Sequence, residues 1–248
     1  MNVCGAILVT TREPSTSGNA FEGRVTYGRY NEAKAEAFTN YVISDRVALS
    51  LEGQYRRGNG WQRDISNDDR RVGDYENWSF RLGLKAELTD TVDVLLRYKH
   101  GQVDDPSTML ASSLDTSDFG LGAPFGGVPG TYTTAKNRIA SGSVPEVFRS
   151  NTDVVQGTIR ADLGFADLTS YSQYRSENSF MSQDLDYSGL DLFQLGLPNL
   201  NETWSQELLL TSKAGPKLQW TAGLFYFQNT DTYITYINNG GNAPDQRI

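Results

Sequence analysis

The chain has 248 residues, a formal net charge of −8, one cysteine and one histidine, with a pI of about 4.7 and a mean hydropathy of −0.48. Cys4 alone forms no internal disulfide, Cys4 with His100 is too few for a Cys/His metal site, and the acidic balance argues against a nucleic-acid partner, which needs clustered Lys and Arg. No run approaches the roughly 18 apolar residues of a spanning helix, a test that says nothing of strands exposing apolar groups only at alternate positions.

In chain order, residues 21–30 and 32–43 read as a first hairpin joined by a short turn. Over 45–57, Val47, Leu49, Leu51 and Tyr55 point one way with Gly53 between them, and Ala48, Ser50, Glu52, Gln54 and Arg56 point the other, because side chains two apart share a face of a strand. Over 75–88, Trp78, Phe80, Leu82, Leu84 and Leu88 alternate with Asn77, Ser79, Arg81, Lys85 and Glu87. Val92, Val94, Leu96 and Tyr98 then oppose Asp93, Arg97 and Lys99, with Leu95 breaking the polar side. Val155, Gly157, Ile159, Ala161 and Leu163 oppose Gln156, Thr158, Arg160 and Asp162. Residues 168–174 are polar and aromatic and their phase stays open. Residues 203–212 and 218–228 read as the last hairpin, and 233–248 as a loop-like tail with no closing strand.

The turns between these runs alternate in length. Ser44-Asp45, Thr89-Asp90, Gly164-Phe165-Ala166-Asp167 and Ala214-Gly215-Pro216 are tight, whereas 58–74, 103–150 and 179–201 are long. A sandwich scatters its loop lengths over both ends, but a barrel of the bacterial outer membrane has short periplasmic turns and long outer loops. Lipid offers no partner for an open N–H or C=O, so a spanning sheet must pair every backbone group and close, with roughly 9–11 residues per crossing. The expected fold is all-β: an antiparallel up-and-down transmembrane β-barrel, incomplete, of about nine long strands, an odd number where single-chain bacterial barrels have an even one. Tyr27, Tyr30, Tyr41, Tyr55, Trp78, Tyr98, Trp220 and Tyr226 sit near strand ends, where an interfacial girdle belongs. The apolar set should face lipid. The polar set, which includes Glu22, Arg24, Glu52, Gln54, Arg56, Arg81, Lys85, Arg97, Lys99 and Arg160, should line the lumen. The alternative is a soluble β-rich binding or adhesion module, which also alternates but with strands of five or six residues.

No catalytic, cofactor or metal residues are expected. His100 shares the face of Tyr98 near a strand end and reads as a rim residue. The glycine-rich stretch 120–130 lacks a following Gly-Lys-Ser/Thr and a helix, so it reads as a loop. Asp184, Asp186 and Asp191 lack the spacing of a calcium loop, and 67–71 is a self-neutralising loop tip. In the long loops, Trp61, Gln62, Tyr132, Phe148, Phe180, Tyr187 and Phe193 offer aromatic faces and amides to a flat or polyhydroxylated ligand.

Gly5-Ala6-Ile7-Leu8-Val9-Thr10-Thr11-Arg12-Glu13-Pro14 resembles the close of the plug domain of TonB-dependent outer-membrane receptors. Phe21-Glu22-Gly23-Arg24-Val25-Thr26-Tyr27-Gly28 resembles their first barrel strand, and Leu168-Thr169-Ser170-Tyr171 stands where they often carry "LTS". Ser205-Gln206-Glu207-Leu208-Leu209-Leu210-Thr211-Ser212 resembles their "SQELRLTS" strand, and the run from Leu218 to Phe227 the strand paired to it. The resemblance implies residues 1–17 as the end of a plug and 18–248 as the first part of a barrel. It implies an outer-membrane location among lipid, a periplasmic TonB-type energy-transducing partner, and uptake of a ferric siderophore, cobalamin or an oligosaccharide. With no signal peptide after Met1, most of a plug missing and no closing strands, the chain is expected to be a fragment of such a receptor.

Overall fold

The computed structural model of the chain describes residues 11–64, 70–106, 138–139, 146–184, 194–213 and 218–238. Tyr132, Tyr187, Phe193, the 120–130 stretch, 185–191 and the 214–216 turn lie outside them. The described strands are β1 (Ala20–Tyr27), β2 (Ala33–Ser44), β3 (Val47–Asp64), β4 (Arg70–Glu87), β5 (Val92–Asp104), β6 (Arg138–Ile139), β7 (Val147–Asp162), β8 (Ala166–Asp184), β9 (Gln194–Ser212), β10 (Thr221–Tyr233) and β11 (Tyr236–Asn238). They form one sheet in the order β1-β2-β3-β4-β5-β7-β8-β9-β10, with β11 on β9 and β6 on β3. Every neighbour on the main path is antiparallel; only the β3–β6 pair is parallel. This is the expected up-and-down order with nine strands on the path, and among the described residues β1 and β10 are open edges.

The strands are longer than expected. β3 and β4 have 18 residues and β8 and β9 have 19, about 60 Å at ~3.3 Å per residue and far beyond the 9–11 residues of a crossing. Much of what the sequence marks as loop is therefore ladder: Gly58 pairs Tyr75, Asp64 pairs Arg70, and Asp184 pairs Gln194. Two hairpins continue as paired strands past the stretches that alternate in the sequence, and the glycines, Pro198 and polar residues of these extensions read as loop. The expected tail is also corrected in part, since Tyr236–Asn238 pairs with Gly196–Gln194. The gap between β10 and β11 has a simple cause. Ile234 N donates to Pro198 O at 3.3 Å, but Pro198 has no N–H to return the bond.

The face carrying residues 11–19 is here called the inner face. Register across the strands puts Glu52, Arg81, Lys99, Val154, Arg175 and Thr203 in one row on it. Directly beside that row, Leu51, Leu82, Tyr98, Val155, Tyr174 and Trp204 point outward. Leu49, Leu51, Leu82, Leu96 and Ile159 are exposed there, as lipid-facing groups must be. The phase of 168–174 is now fixed: Tyr171, opposite the inward Thr158, points inward, and Tyr174, opposite Val155, outward. Its ambiguity came from Ser170 and Ser172, which point outward and bond the outward Gln206. Leu95 is no defect of the polar side. It is 1% exposed on the inner face, level with Ala48 and Thr158, which are also buried.

Rings gather on the outer face where the extensions begin. Trp78 lies 5.1 Å from His100, Phe80 lies 5.8 Å from Tyr98, and Tyr174 lies 6.4 Å from Trp204. His100 Nδ1 is 2.8 Å from Asp153 Oδ1, and Tyr98 donates its hydroxyl to the same oxygen at 2.6 Å. At the opposite end of the sheet the tight turns are tied together. Arg46 reaches Asp90 at 2.5 Å, and Lys213 bridges Asp162 at 3.0 Å and Asp167. These two carboxylates push the Lys213 ammonium above its ordinary range, Asp167 most strongly.

Candidate functional site

Residues 11–19 cross the inner face and touch five strands, β1, β2, β4, β5 and β7. Arg12 lies 2.7 Å from Glu22 on β1, with its guanidinium 4.9 Å above the Phe38 ring of β2. Glu13 reaches the other way. Its carboxylate takes two bonds from Arg160 on β7, at 2.6 and 3.1 Å, and lies 3.7 Å from Arg97 on β5. Arg160 also holds Asp93 at 3.3 Å. The hydrogen bonding from Arg160 keeps the Glu13 carboxyl below the ordinary carboxylate range against the cost of desolvation, and the charges of Arg160, Arg97 and Lys85 add to it.

Between these ion pairs the segment is seated by apolar contact and amide bonding. Pro14 is fully buried. It lies on Gly83 of β4, where an added Cβ would stand 3.1 Å from Pro14 Cγ and 2.7 Å from Ser50 Oγ. Asn40 of β2, 4% exposed, then uses its whole side chain on the segment. Its Oδ1 accepts from Ser15 N at 2.9 Å, and its Nδ2 donates to Ser15 O at 2.8 Å and Gly18 O at 2.7 Å. Asn19 Oδ1 accepts from Val42 N at 2.8 Å. The segment thus has two parts: 14–19, fixed by a buried proline and a saturated buried amide, and 11–13, held by ion pairs that water can reach. Neither Asn40 nor Gly83 stands out in the sequence. The one available signal was a glycine among the inward positions of β4.

The sequence-derived lumen residues are distributed along this face. Glu52 and Arg81 pair at 3.3 Å, Arg97 and Arg160 hold Glu13, and Lys85 and Arg160 line one depression near the tight turns. Arg56 lies higher. It binds Glu32 at 2.8 Å and stands 4.9 Å over the Tyr75 ring, and Arg56 holds the Glu32 carboxyl below its usual range. The loop candidates are not brought together. Trp61 is exposed and Gln62 buried on the β3 extension, beyond β4 and β5 from the others. Phe148 on β7 lies opposite Met181, and Phe180 opposite Arg149, so the two phenylalanines point to opposite faces; Phe180 is buried.

A sheet of long antiparallel strands in simple up-and-down order, apolar on one face and charged on the other, is the wall of an incomplete transmembrane β-barrel. Solved receptors share it. The siderophore receptor PiuA from Acinetobacter baumannii superposes with a TM-score of 0.68 at 13% identity over 93% of this chain and 34% of that one. The ferric-catecholate import receptor Fiu from E. coli K12 gives 0.63 at 12% over 90% and 33%. The ferric yersiniabactin uptake receptor FyuA from Yersinia pestis gives 0.71 at 11% over 92% and 33%. The chain therefore spans about a third of the length of these receptors. At such identities the likeness is one of fold, and at that level the resemblance read from the sequence holds. No protein-family model matches the chain, and no curated protein matches it by sequence.

Proposed function

We propose that the chain is part of an outer-membrane receptor that takes up an iron chelate of the siderophore class, driven by a periplasmic TonB-type partner. In this reading residues 1–17 end a plug and 18–248 form the first part of the barrel, embedded in outer-membrane lipid. The observation that carries it is the ion-paired seating of residues 11–19 across the inner face. A bare channel wall has no need of such a segment, whereas a plug that moves needs a fixed joint and a releasable contact, and both are present. The names of the three superposed receptors support the siderophore class over cobalamin or oligosaccharides. Trp61, Gln62, Tyr132, Phe148, Phe180, Tyr187 and Phe193 remain the proposed ligand contacts, at the end of the wall opposite the tight turns, since the loops and strand ends that project from a rigid scaffold commonly carry binding.

The test is uptake. The full-length receptor that contains this chain is expressed in cells lacking their own siderophore receptors, with and without the TonB-type transducer, and radioactive iron is supplied as ferric catecholate, hydroxamate and carboxylate chelates beside labelled cobalamin and maltooligosaccharide. Transducer-dependent accumulation of one iron chelate is expected, with the protein in the detergent-extracted outer-membrane fraction. Recovery in the soluble fraction would favour the adhesion or binding module instead.

A further inference from the structure

The outer face of β8 and β9 departs from the rest of the wall. The row Leu49, Leu84, Leu96 runs on through Gly157 to Ser172 and Gln206, and the row Val47, Ala86, Val94, Ile159 runs on to Ser170 and Leu208. Along the strands, Ser170 and Ser172 lie between Leu168 and Tyr174, and Gln206 lies between Leu210 and Trp204. That is the stretch between the tight turns and the rings, where the outer face of a barrel is apolar. The three polar groups are joined to each other. Ser172 donates to Gln206 Oε1, and Gln206 Nε2 donates to Ser170 Oγ at 3.1 Å and to Glu207 O at 3.2 Å. Each group thus has a partner, which lowers the cost of leaving water, but the network is not used up. Both amide hydrogens of Gln206 are spent, whereas Ser170 only accepts. Its own hydroxyl hydrogen has no acceptor among the described residues, and Gln206 Oε1 keeps a second lone pair. The patch therefore turns a donor and an acceptor toward hydrocarbon, which can answer neither.

We propose that the β8–β9 outer face is a contact between two copies of the receptor, packed about a two-fold axis along the membrane normal. Such an axis keeps the tight turns of both copies on one side of the membrane. A two-fold contact lays the same patch against itself, so the surface must be its own complement. A donor beside an acceptor meets that condition: the Ser170 hydroxyl of each copy donates to the Gln206 amide oxygen of the other. Depth permits it. Gln206 already reaches Ser170 within one copy, so the two groups lie at one depth, and the axis preserves depth. Gly157, Ser170 and Ser172 are small enough for two walls to approach closely, and small residues joined by hydrogen bonds are what hold membrane helices together. The inference rests on the receptor reading for placing this face in lipid, but not for transport.

The test is disulfide cross-linking of the full-length receptor that contains this chain, in outer membranes, with its native cysteines replaced by serine (Cys4→Ser among them). Leu208→Cys, outward and opposite Ser170 in the ladder, should give a linked dimer on mild oxidation. Leu82→Cys, exposed on the same face of β4, reports random collision and should give at least fivefold less. The patch is then made apolar by Ser170→Ala, Ser172→Ala and Gln206→Leu together. This should cut the dimer formed through Leu208→Cys at least fivefold. Heat-modifiable migration in a gel, which reports a folded wall, should stay unchanged, because each of the three changes suits lipid. Equal cross-linking at positions 208 and 82, a product with a different protein in place of the dimer, or an undiminished dimer in the folded triple variant overturns the proposal. Should the triple variant fail to assemble, the comparison of the two cysteine positions decides alone. The receptor reading fails separately: transducer-dependent iron uptake by a monomer removes the contact and leaves the function, and a patch-dependent dimer without iron uptake does the reverse.

Discussion

Pro14 is seated on Gly83, its ring occupying the space that any other residue of β4 would fill with a side chain. This one contact locks the position of the inner segment relative to the wall. A methyl at residue 83 would meet Ser50 Oγ, which can rotate away, and Pro14 Cγ, which cannot. Gly83→Ala should therefore loosen the segment slightly and Gly83→Leu should expel it, at a cost of about 1–3 kcal/mol from overpacking. A spin label placed at Thr11 should become mobile in the leucine variant while the circular dichroism of the sheet stays unchanged. An immobile label in Gly83→Leu would show that Pro14 is not the seat.

Asn40 is the polar half of the same joint. Removing its amide leaves Ser15 N, Ser15 O and Gly18 O without their partner, and a buried unsatisfied group costs about 1–3 kcal/mol. Asn40→Ala should lower the guanidinium unfolding midpoint accordingly. Asn40→Asp should do worse, because a carboxylate accepts from Ser15 N but turns its second oxygen toward two carbonyls. Equal midpoints for the aspartate variant and the parent would contradict this geometry.

Acid should release residues 11–13. The Glu13 carboxyl is held below its ordinary value, so its ionised form favours the seated state. That contribution is fully present above roughly pH 4.5, the ordinary glutamate value, and is lost as the pH falls through the lowered one. The label at Thr11 should be immobile at neutral pH and gain mobility only once the pH has fallen below the ordinary glutamate range. In Glu13→Gln it should already be mobile and insensitive over the same range. A transition in the glutamine variant would assign the effect to another group.

The two faces predict opposite responses to charge. Leu82→Arg puts a guanidinium on the outer face, where a midplane charge costs on the order of 2–4 kcal/mol, and should sharply lower the amount of protein assembled in the outer membrane. Arg81→Leu, one residue away on the inner face, should leave assembly near the parent level. Quantitative blotting of membrane fractions separates the two. The reverse order would mean that the faces are exchanged.

What the sequence displayed follows from where lipid does the sorting. Val47 to Tyr55, Trp78 to Leu84 and Val92 to Tyr98 alternate because only one of their faces meets hydrocarbon, and their phase and pairing order were legible for that reason. In the strand extensions at 58–64, 70–74, 179–184 and 194–201, residues such as Gly58, Gly60, Gly73, Gly196 and Pro198 are those that punctuate turns, so paired strands resembled loops. Ser170 and Ser172 hid the phase of β8 because their hydrogen bonds to Gln206, which satisfy them outside, depend on a partner 34 and 36 residues away. The charged lumen residues were readable singly. Their arrangement around Glu13, the Asn40 amide and the Pro14 seat were not, since each depends on how distant strands align.

The bulge in β3 has a consequence for how such hairpins lengthen. Asn59 faces Asp74 and Gln62 faces Val72, so Gly60 and Trp61 together oppose Gly73; Gly60 has φ +47°, and a Cβ there would lie 2.1 Å from Val72 O. Below the bulge, parity is dictated by lipid, and an insertion of one residue would turn every side chain of the strand inside out. A bulge absorbs an odd residue and restarts the count. Insertions on the membrane side of Gly60 are therefore tolerable only in pairs, while beyond it the tip can drift by single residues without the wall registering the change.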